Sequence, residues 1–314
     1  MSESKSEITF SIIIVSYNKH DLLRQTLKGI EEHVTSTFYE IIVIDNASTA
    51  DNVKMIRKNF PSVLLIENVT NRGFASACNT GAKAASGRYL LFVNSDIILS
   101  GNPIPEMLEI YEKYDDTALV GCQLLNSDDT LQRSYYELPS LSKRIIELLG
   151  LKKLLLPIYL KKVKEETENL KVKIVKGAFF MIPKQIFFDL SGFDEDYFIY
   201  MEDVDLSYRA LKIGKVNWLV NTKNVVHLGW HVAALENSTA FIYGNKGLII
   251  FHYKHYNRTN YFILVIFSIL IFSIRLSFMK LFFSKAESTK AMREVLNLYF
   301  VALFKPNSIY QKRF

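Results

Sequence analysis

Three carboxylates, Glu202, Asp203 and Asp205, stand behind the aromatic run Phe198-Ile-Tyr-Met201. A carboxylate at the rim of a pocket can take a proton from a substrate hydroxyl as a general base. Acids in a first helical turn can equally do no more than complement the helix dipole. Asp205 also lies four residues before Arg209, the spacing of an ordinary surface ion pair. A second group of residues offers ligand chemistry. Asp96, in Asn94-Ser95-Asp96, is a hard-oxygen donor suited to Mg2+ or Mn2+ on a diphosphate; such ions are usually held by one or two protein carboxylates while phosphates complete the shell. Asp45 can accept hydrogen bonds from a ribose or a base edge, or close an Asx-turn with the residues up to Ser48. Gly73 allows a ligand close to the backbone, and the helix start beyond it, with Asn79 further along, offers free amides to phosphate.

These residues need elements to hold them. Ile12–Val15, Ile41–Ile44, Val63–Ile66 and Tyr89–Val93 are unbroken apolar runs, as in strands buried on both faces of a parallel sheet. Polar or small residues follow them: Ser16-Tyr17-Asn18, Asp45-Asn46, Asn71-Arg72-Gly73 and Asn94-Ser95-Asp96. Between the runs, Asp21–Ile30 carries Leu22, Leu23, Leu27 and Ile30 at helical spacing, and Ser76–Ala85 reads as a helix of small residues. The acidic motif opens another helix, with Leu206, Ala210, Leu211 and Ile213 on one face and Gly214 as its stop. Gly177–Met181 reads as a strand. Strand, polar tip and helix repeat as in a doubly wound α/β domain, a mostly parallel sheet flanked by helices. Ligands of such sheets bind beyond the carboxyl ends of the strands, where the polar tips collect.

Other chemistries lack their signatures. There is neither a G-x-G-x-x-G nor a G-x-x-x-x-G-K-[ST] stretch. Cys78 and Cys122 are the only cysteines, which excludes a disulfide framework and a zinc-type spacing and fits reduced thiols in a cytosolic compartment.

In order along the chain, the motifs are Val15-Ser-Tyr-Asn18, Val43-Ile-Asp-Asn-Ala-Ser48, Asn71-Arg-Gly-Phe-Ala75 with Asn79, and Phe92-Val-Asn-Ser-Asp96. Lys176-Gly-Ala-Phe-Phe-Met181, Gly192-Phe-Asp-Glu195, Tyr200-Met-Glu-Asp-Val-Asp205 and Val225-Val-His227 follow. Over about residues 8–260 this set resembles the family 2 glycosyltransferases of GT-A fold, in particular their bacterial rhamnosyltransferase-like branch. The resemblance implies that Ser16, Tyr17 and Asp45 hold the nucleoside of a sugar-nucleotide donor. Asn71, Gly73, Asn79 and Asn94 would line the ribose and diphosphate path. Asp96 would bind a divalent cation (Mg2+ or Mn2+) with His227 completing the site, Asn94 standing where the family more often has a first carboxylate. Asp203 would be the general base, with Gly177, Glu202 and Trp230 on the acceptor side. The implied reaction is inverting transfer of a sugar, rhamnose favoured, from a dTDP- or UDP-linked donor to a lipid-linked saccharide of a surface polysaccharide. UDP-galactose, UDP-glucose or UDP-galactofuranose are alternative donors, and a catalytically silent nucleotide-sugar-binding scaffold is the alternative of another class. A hydrolase would need two carboxyl groups facing each other across a sugar, about 5–10 Å apart, which adjacent Glu202 and Asp203 do not supply.

The domain reading places a catalytic domain at 1–245, with a nucleotide-binding half at about 8–100 and an acceptor half at 101–245. A helical tail at 246–314 follows. Residues 140–172 mix leucines with lysines, as an acceptor-covering segment or a solvated helical insertion. The tail holds 11 Lys and Arg against 2 acidic residues, so the whole chain's +6 comes from it, which argues against a general nucleic-acid surface. Its apolar run Tyr261–Ile274 spans about 21 Å as a helix, short of a ~30 Å hydrocarbon core, and Arg275 interrupts it. Lys254, Arg258, Lys280, Lys285 and Lys290 flank it on both sides. The expectation is an interfacial helix on the cytoplasmic face of the inner membrane, peripheral or monotopic, burying Phe262, Ile266, Ile269 and Phe272 in lipid. A tilted single span is the alternative. The polar stretch Met1–Glu7 shows no export signal.

Overall fold

In the computed structural model, residues 9–35, 38–149, 168–229, 234–282 and 286–309 are described. Trp230 and the lysines at 152–164 lie outside them. The described residues of 1–138, 160–195 and 203–230 form one compact unit; those of 139–159, 196–202 and 231–314 form a second. The chain position 245 falls inside a continuous helix, Ala234–His255.

The first unit is built on one sheet. The expected runs become β1 (Phe10–Ser16), β2 (Tyr39–Asp45), β3 (Leu64–Glu67) and β4 (Tyr89–Asn94), joined in parallel in the order β3-β2-β1-β4. Helices α1 (His20–His33), α2 (Ala50–Asn59) and α3 (Phe74–Ala84) form the crossovers. Small residues in α3 have a steric purpose. A Cβ on Gly81 would lie 2.6 Å from both Ile13 Cγ2 and Ile44 Cδ1, so only glycine lets the helix settle this close to β1 and β2.

Beyond β4 the sheet becomes mixed. After β5 (Ile97–Leu99), α4 (Ile104–Lys113) and β6 (Thr117–Leu125) come three short strands, β7 (Tyr135–Tyr136), β8 (Leu170–Val172) and β9 (Ile174–Val175). β10 (Phe179–Pro183) then runs antiparallel between β4 and β6, and β11 (Val216–His227) runs parallel to β6 and antiparallel to β5. The reversal of β10 decides the site. It brings the start of that strand to the carboxyl end of β4, where Asn94 N donates to Ala178 O at 2.9 Å.

An aromatic cluster fixes the approach to the acidic motif. Phe92 of β4 packs its ring against Phe180, Phe187 and Phe193 at 5.1–5.2 Å between centroids. Such pairs add about 0.5–1.5 kcal/mol each beyond area burial. Phe187 belongs to α6 (Lys184–Asp189), and Phe193 sits in the loop leading to α7 (Glu202–Lys212). Gly214, at φ +79°, ends α7 as expected. Leu206 and Ala210 face the core, but Ile213, just past the end of α7, is exposed.

The second unit is helical: α5 (Leu141–Leu148), α8 (Ala234–His255), α9 (Arg258–Phe282) and α10 (Ala286–Phe304). The run read as 14 residues ended by Arg275 is part of a continuous helix of 25. Arg275 does not break it, because its guanidinium donates to Leu148 O at the end of α5 and so satisfies an orphan helical carbonyl. Arg144 likewise binds Asn245 Oδ1 at 2.5 Å and Tyr299 Oη at 3.0 Å.

Candidate active site

The carboxyl ends of β1, β2 and β4 carry the expected polar residues in register, with Ser16 opposite Asp45 and Val15 opposite Asn94. Asp45 is 2% exposed. Its Oδ2 accepts from Ser48 N, three residues on, at 2.9 Å, an Asp-capped turn of the kind the sequence suggested, and its Oδ1 accepts from Asn52 Nδ2. Asn52 Nδ2 also reaches Ser16 Oγ at 3.3 Å. Tyr17 is half exposed beside this tip. Asn46, absent from the expected site, turns out to be the tie between two loops. Its Nδ2 donates to Asn71 Oδ1 at 2.8 Å and Gly73 O at 3.2 Å, while its Oδ1 accepts from Asn68 Nδ2 and Arg72 N. Gly73 has φ +85°, a conformation that side-chain-bearing residues rarely adopt.

Asn79 departs from its expected role on the ribose and diphosphate path. Its Nδ2 donates to Phe193 O at 2.8 Å and Glu195 Oε1 at 3.1 Å, and its Oδ1 accepts from Phe193 N at 2.9 Å. Both amide protons are spent on the loop before α7. Asp205 departs from the surface ion pair in the same way. Its side chain is 1% exposed and accepts from Arg209 Nε at 2.6 Å. Arg209 also donates to Leu190 O and Gly192 O, so the pair staples the loop rather than decorating a surface.

Asp203 and Asp96 are held differently. Asp203 Oδ2 accepts from Gly177 N at 2.7 Å and Oδ1 from Val204 N at 2.8 Å. A Cβ on Gly177 would come within 2.9 Å of Asp203 Cβ, so glycine is what admits the carboxylate. Burial pushes the Asp203 carboxyl up, while the two amides and the Lys176 ammonium pull against it; the net is a carboxyl above its usual value. Glu202 beside it is buried.

At the end of β4, Asp96 Oδ1 lies 3.4 Å from His227 Nε2, and Asn94 Nδ2 lies 3.5 Å from the same nitrogen. Antiparallel pairing of β11 with β5 sets His227 opposite Ile97 and so beside Asp96. Burial works to raise the Asp96 carboxyl, but the hydrogen bond and charge of His227 and the charge of Lys19 outweigh it and hold it low. Behind the imidazole stand two residues that the sequence reading did not assign. Gln132 Oε1 is 2.6 Å from His227 Nδ1, and Lys176 Nζ is 3.3 Å from it. Burial lowers the Lys176 pKa to about 8, against the opposing charges of Asp203 and Asp96. Gly229 passes over the ring with no side chain, where a Cβ would meet Cε1 at 2.5 Å and Nε2 at 3.0 Å.

The Asp96–His227 pair fits a divalent cation. It offers one hard oxygen and one imidazole nitrogen at a separation near the ~3 Å between adjacent donors of a small octahedral ion with bonds of about 2.1 Å. Among the described residues no group of three or more His, Cys, Asp or Glu forms a closed metal cage. A cation held by this pair would take its remaining ligands from phosphate oxygens and water, the usual arrangement for Mg2+ with a diphosphate.

The family model for glycosyl transferase family 2 matches residues 11–190. The chain belongs to the family 2 glycosyltransferases. This glycosyltransferase is 23% identical over 259 residues to the N-acetylglucosaminyl-diphospho-decaprenol L-rhamnosyltransferase of Mycobacterium tuberculosis, covering 76% of this chain and 82% of that protein. It is 27% identical over 233 residues to the rhamnosyltransferase WbbL of Escherichia coli, covering 70% and 83%. Among solved structures it is similar to a mannosyltransferase from Pyrobaculum calidifontis in complex with GDP-Man and Mn2+, with a TM-score of 0.57 at 15% identity over 95% of this chain and 87% of that one. A second, TarS of S. aureus, has a TM-score of 0.55 at 14% identity over 95% and 82%. The fold is GT-A, a mostly parallel sheet flanked by helices.

Proposed function

We propose that this glycosyltransferase moves a sugar, rhamnose in the first instance, from a dTDP- or UDP-linked donor to a lipid-linked saccharide, inverting the anomeric centre. The observation that carries the reading is the Asp96–His227 pair at the end of β4, with Asp203 held by Gly177 at the start of the neighbouring β10. The two rhamnosyltransferase relatives support the sugar, and the decaprenol-diphosphate-linked substrate in the name of the Mycobacterium tuberculosis one supports the acceptor class. Ser16, Tyr17 and Asp45 hold the nucleoside, and Asn71, Gly73 and Asn94 border the ribose and diphosphate. Asp96 and His227 hold the cation, which when bound neutralises charge developing on the leaving diphosphate. Asp203 takes the proton of the acceptor hydroxyl as its oxygen attacks the anomeric carbon. Its oxygens are fixed by the amides of Gly177 and Val204, so orientation is set before substrate arrives.

Membrane attachment belongs to the same proposal. Helix α9 is long and apolar enough over Arg258–Met279 to cross a membrane. Its inner face, Tyr261, Leu264, Val265, Phe272 and Leu276, is buried. Its other face exposes Ile263, Ile266, Leu270, Ile274 and Phe278. Phe272, expected in lipid, packs instead on Tyr299 of α10, and Ile269 is likewise only partly exposed. Tyr261 Oη bonds Ala302 O at 2.9 Å. Since α10 carries Lys290, Arg293 and Glu294, α9 crossing with this partner attached would draw charges into hydrocarbon, at about 2.5–3.5 kcal/mol each. Docking in the plane of the cytoplasmic leaflet through the exposed face avoids that cost.

The test is purified protein given dTDP-rhamnose, UDP-galactose, UDP-glucose or UDP-galactofuranose with Mn2+, a polyprenyl-diphosphate saccharide acceptor, and NMR of the product anomer. Turnover of dTDP-rhamnose with inversion is expected, abolished by Asp96→Ala or by chelator. Turnover of another donor would replace the sugar. Donor binding without any transfer would leave the scaffold reading in its place.

A further inference from the structure

A neutral imidazole carries one proton, so its two nitrogens cannot both be ligands. Which of them offers a lone pair is settled by what the other one faces. At His227 that choice is made by a glutamine in the turn between β6 and β7. Gln132 is 6% exposed, and its amide orientation is pinned from both ends. Its Nε2 donates to His227 O at 2.9 Å and to Asn126 Oδ1 at 2.9 Å, so the atom turned on the ring is the carbonyl oxygen. Lys176 Nζ, 2.5 Å from the same Oε1, confirms the assignment, because an ammonium needs an acceptor opposite it. The main chain of Gln132 is held as firmly: its N donates to Leu124 O at 2.8 Å, and its O accepts from Gln123 Nε2 and Ser134 Oγ at 2.8 Å each.

With Oε1 only 2.6 Å from His227 Nδ1, that nitrogen must carry the proton, since two bare acceptors at this distance would repel. The competing tautomer, with Nδ1 accepting from Lys176 at 3.3 Å, would keep the longer contact and sacrifice the shorter one. Nε2 is thereby the nitrogen left for a cation: when protonated it hydrogen-bonds Asp96, and it would give up that proton to a bound cation on the ring edge that Gly229 leaves uncovered.

We propose that Gln132 is the positioning residue of the cation site: it fixes His227 as the Nδ1–H tautomer, so that Nε2 and the Asp96 carboxylate form a preorganised pair of donors. Lys176 holds Gln132 in turn. This rests on the reading that a divalent cation binds at Asp96 and His227. It also accounts for how the site works with Asn94 in place of a second strand-end carboxylate. Two donors suffice better when neither has to reorient on binding, and partners behind a ligand typically change metal affinity by 10–100-fold.

The experiment measures Mn2+ affinity by electron paramagnetic resonance in the presence of UDP, and the tautomer of His227 by 15N NMR of the metal-free protein. Both are applied to the full chain, to Gln132→Met and Gln132→Glu, and to Asp96→Ala as the reference for a lost site. At a pH high enough for the ring to be neutral, wild type should show the Nδ1–H pattern. Gln132→Met should lose that pattern and bind Mn2+ at least about tenfold more weakly, with unfolding still cooperative. Gln132→Glu keeps an acceptor on Nδ1 and a partner for Lys176, and should keep both readings near wild type. If Gln132→Met binds Mn2+ as wild type does, or Gln132→Glu fails as fully as Gln132→Met, the positioning role is wrong although the cation site stands. If wild type binds no better than Asp96→Ala, the cation reading itself is what has failed.

Discussion

Burial and two backbone amides act on Asp203 in opposite directions, and burial wins. A general base works only when deprotonated, so a carboxyl raised by burial moves the acid limb of the rate profile upward. The pH dependence of kcat/KM should show activity falling on acidification through a pKa above that of an ordinary aspartate. Asp203→Asn should lower kcat by roughly 10²–10⁴-fold while donor affinity measured by calorimetry is retained. Near-normal turnover in that variant would remove Asp203 from the role. Asp205, two residues on, should behave differently. Its ion pair with Arg209 is almost wholly buried on the carboxylate side, so Arg209→Met leaves an unpaired charge and should cost about 3–5 kcal/mol in urea unfolding. A loss of activity without loss of stability would show that the staple has been misread.

At the scale of elements, contact between α3 and the sheet is set by glycine. Gly81→Ala gains about 1 kcal/mol of helix propensity. It also drives a methyl into Ile13 and Ile44, an overpacking that typically costs about 1–3 kcal/mol. The net should be a loss. Gly87→Ala should be worse, because its Cβ would lie 2.6 Å from Phe10 C and Ser11 N, and backbone cannot yield as a side chain can. Thermal unfolding of the two variants checks the order; equal melting temperatures would show that β1 moves to make room.

For the whole molecule, charge and hydropathy divide along the chain. The net positive charge lies in 246–314, where 11 Lys and Arg face 2 acidic residues, and the exposed apolar face of α9 lies within the same segment. On the proposed membrane reading, the face rather than the helix as such is the docking element. Ile266→Lys with Leu270→Lys should therefore abolish sedimentation with anionic vesicles and leave Mn2+–UDP binding unchanged. High salt should release the intact protein only in part, since apolar burial is insensitive to screening. Release by salt alone would show that lipid does not cover this face, and protection of the C-terminus from protease in sealed inside-out vesicles would indicate a span.

Much of the catalytic framework was legible in the amino-acid order. Strands buried on both faces must be unbroken apolar runs, and their polar ends must fall at one edge of a parallel sheet. Ser16, Asp45, Asn94 and Asp96 could be placed for that reason, and α7 was legible from its periodicity and the stop at Gly214. What local pattern could not carry were pairings between distant residues. Gln132 and His227 lie 95 positions apart, and Asn79 and Phe193 lie 114 apart. Nothing near Gln132 marks it as a partner of an imidazole, and nothing near Asn79 or Asp205 marks them as staples of a loop. The reversed course of β10 delivers Lys176 and Gly177 to the edge of β4, and the packing of α9 turns Phe272 inward and Ile266 outward. Those outcomes were decided by tertiary structure, because a residue's burial and hydrogen-bond partners depend on which distant element arrives beside it.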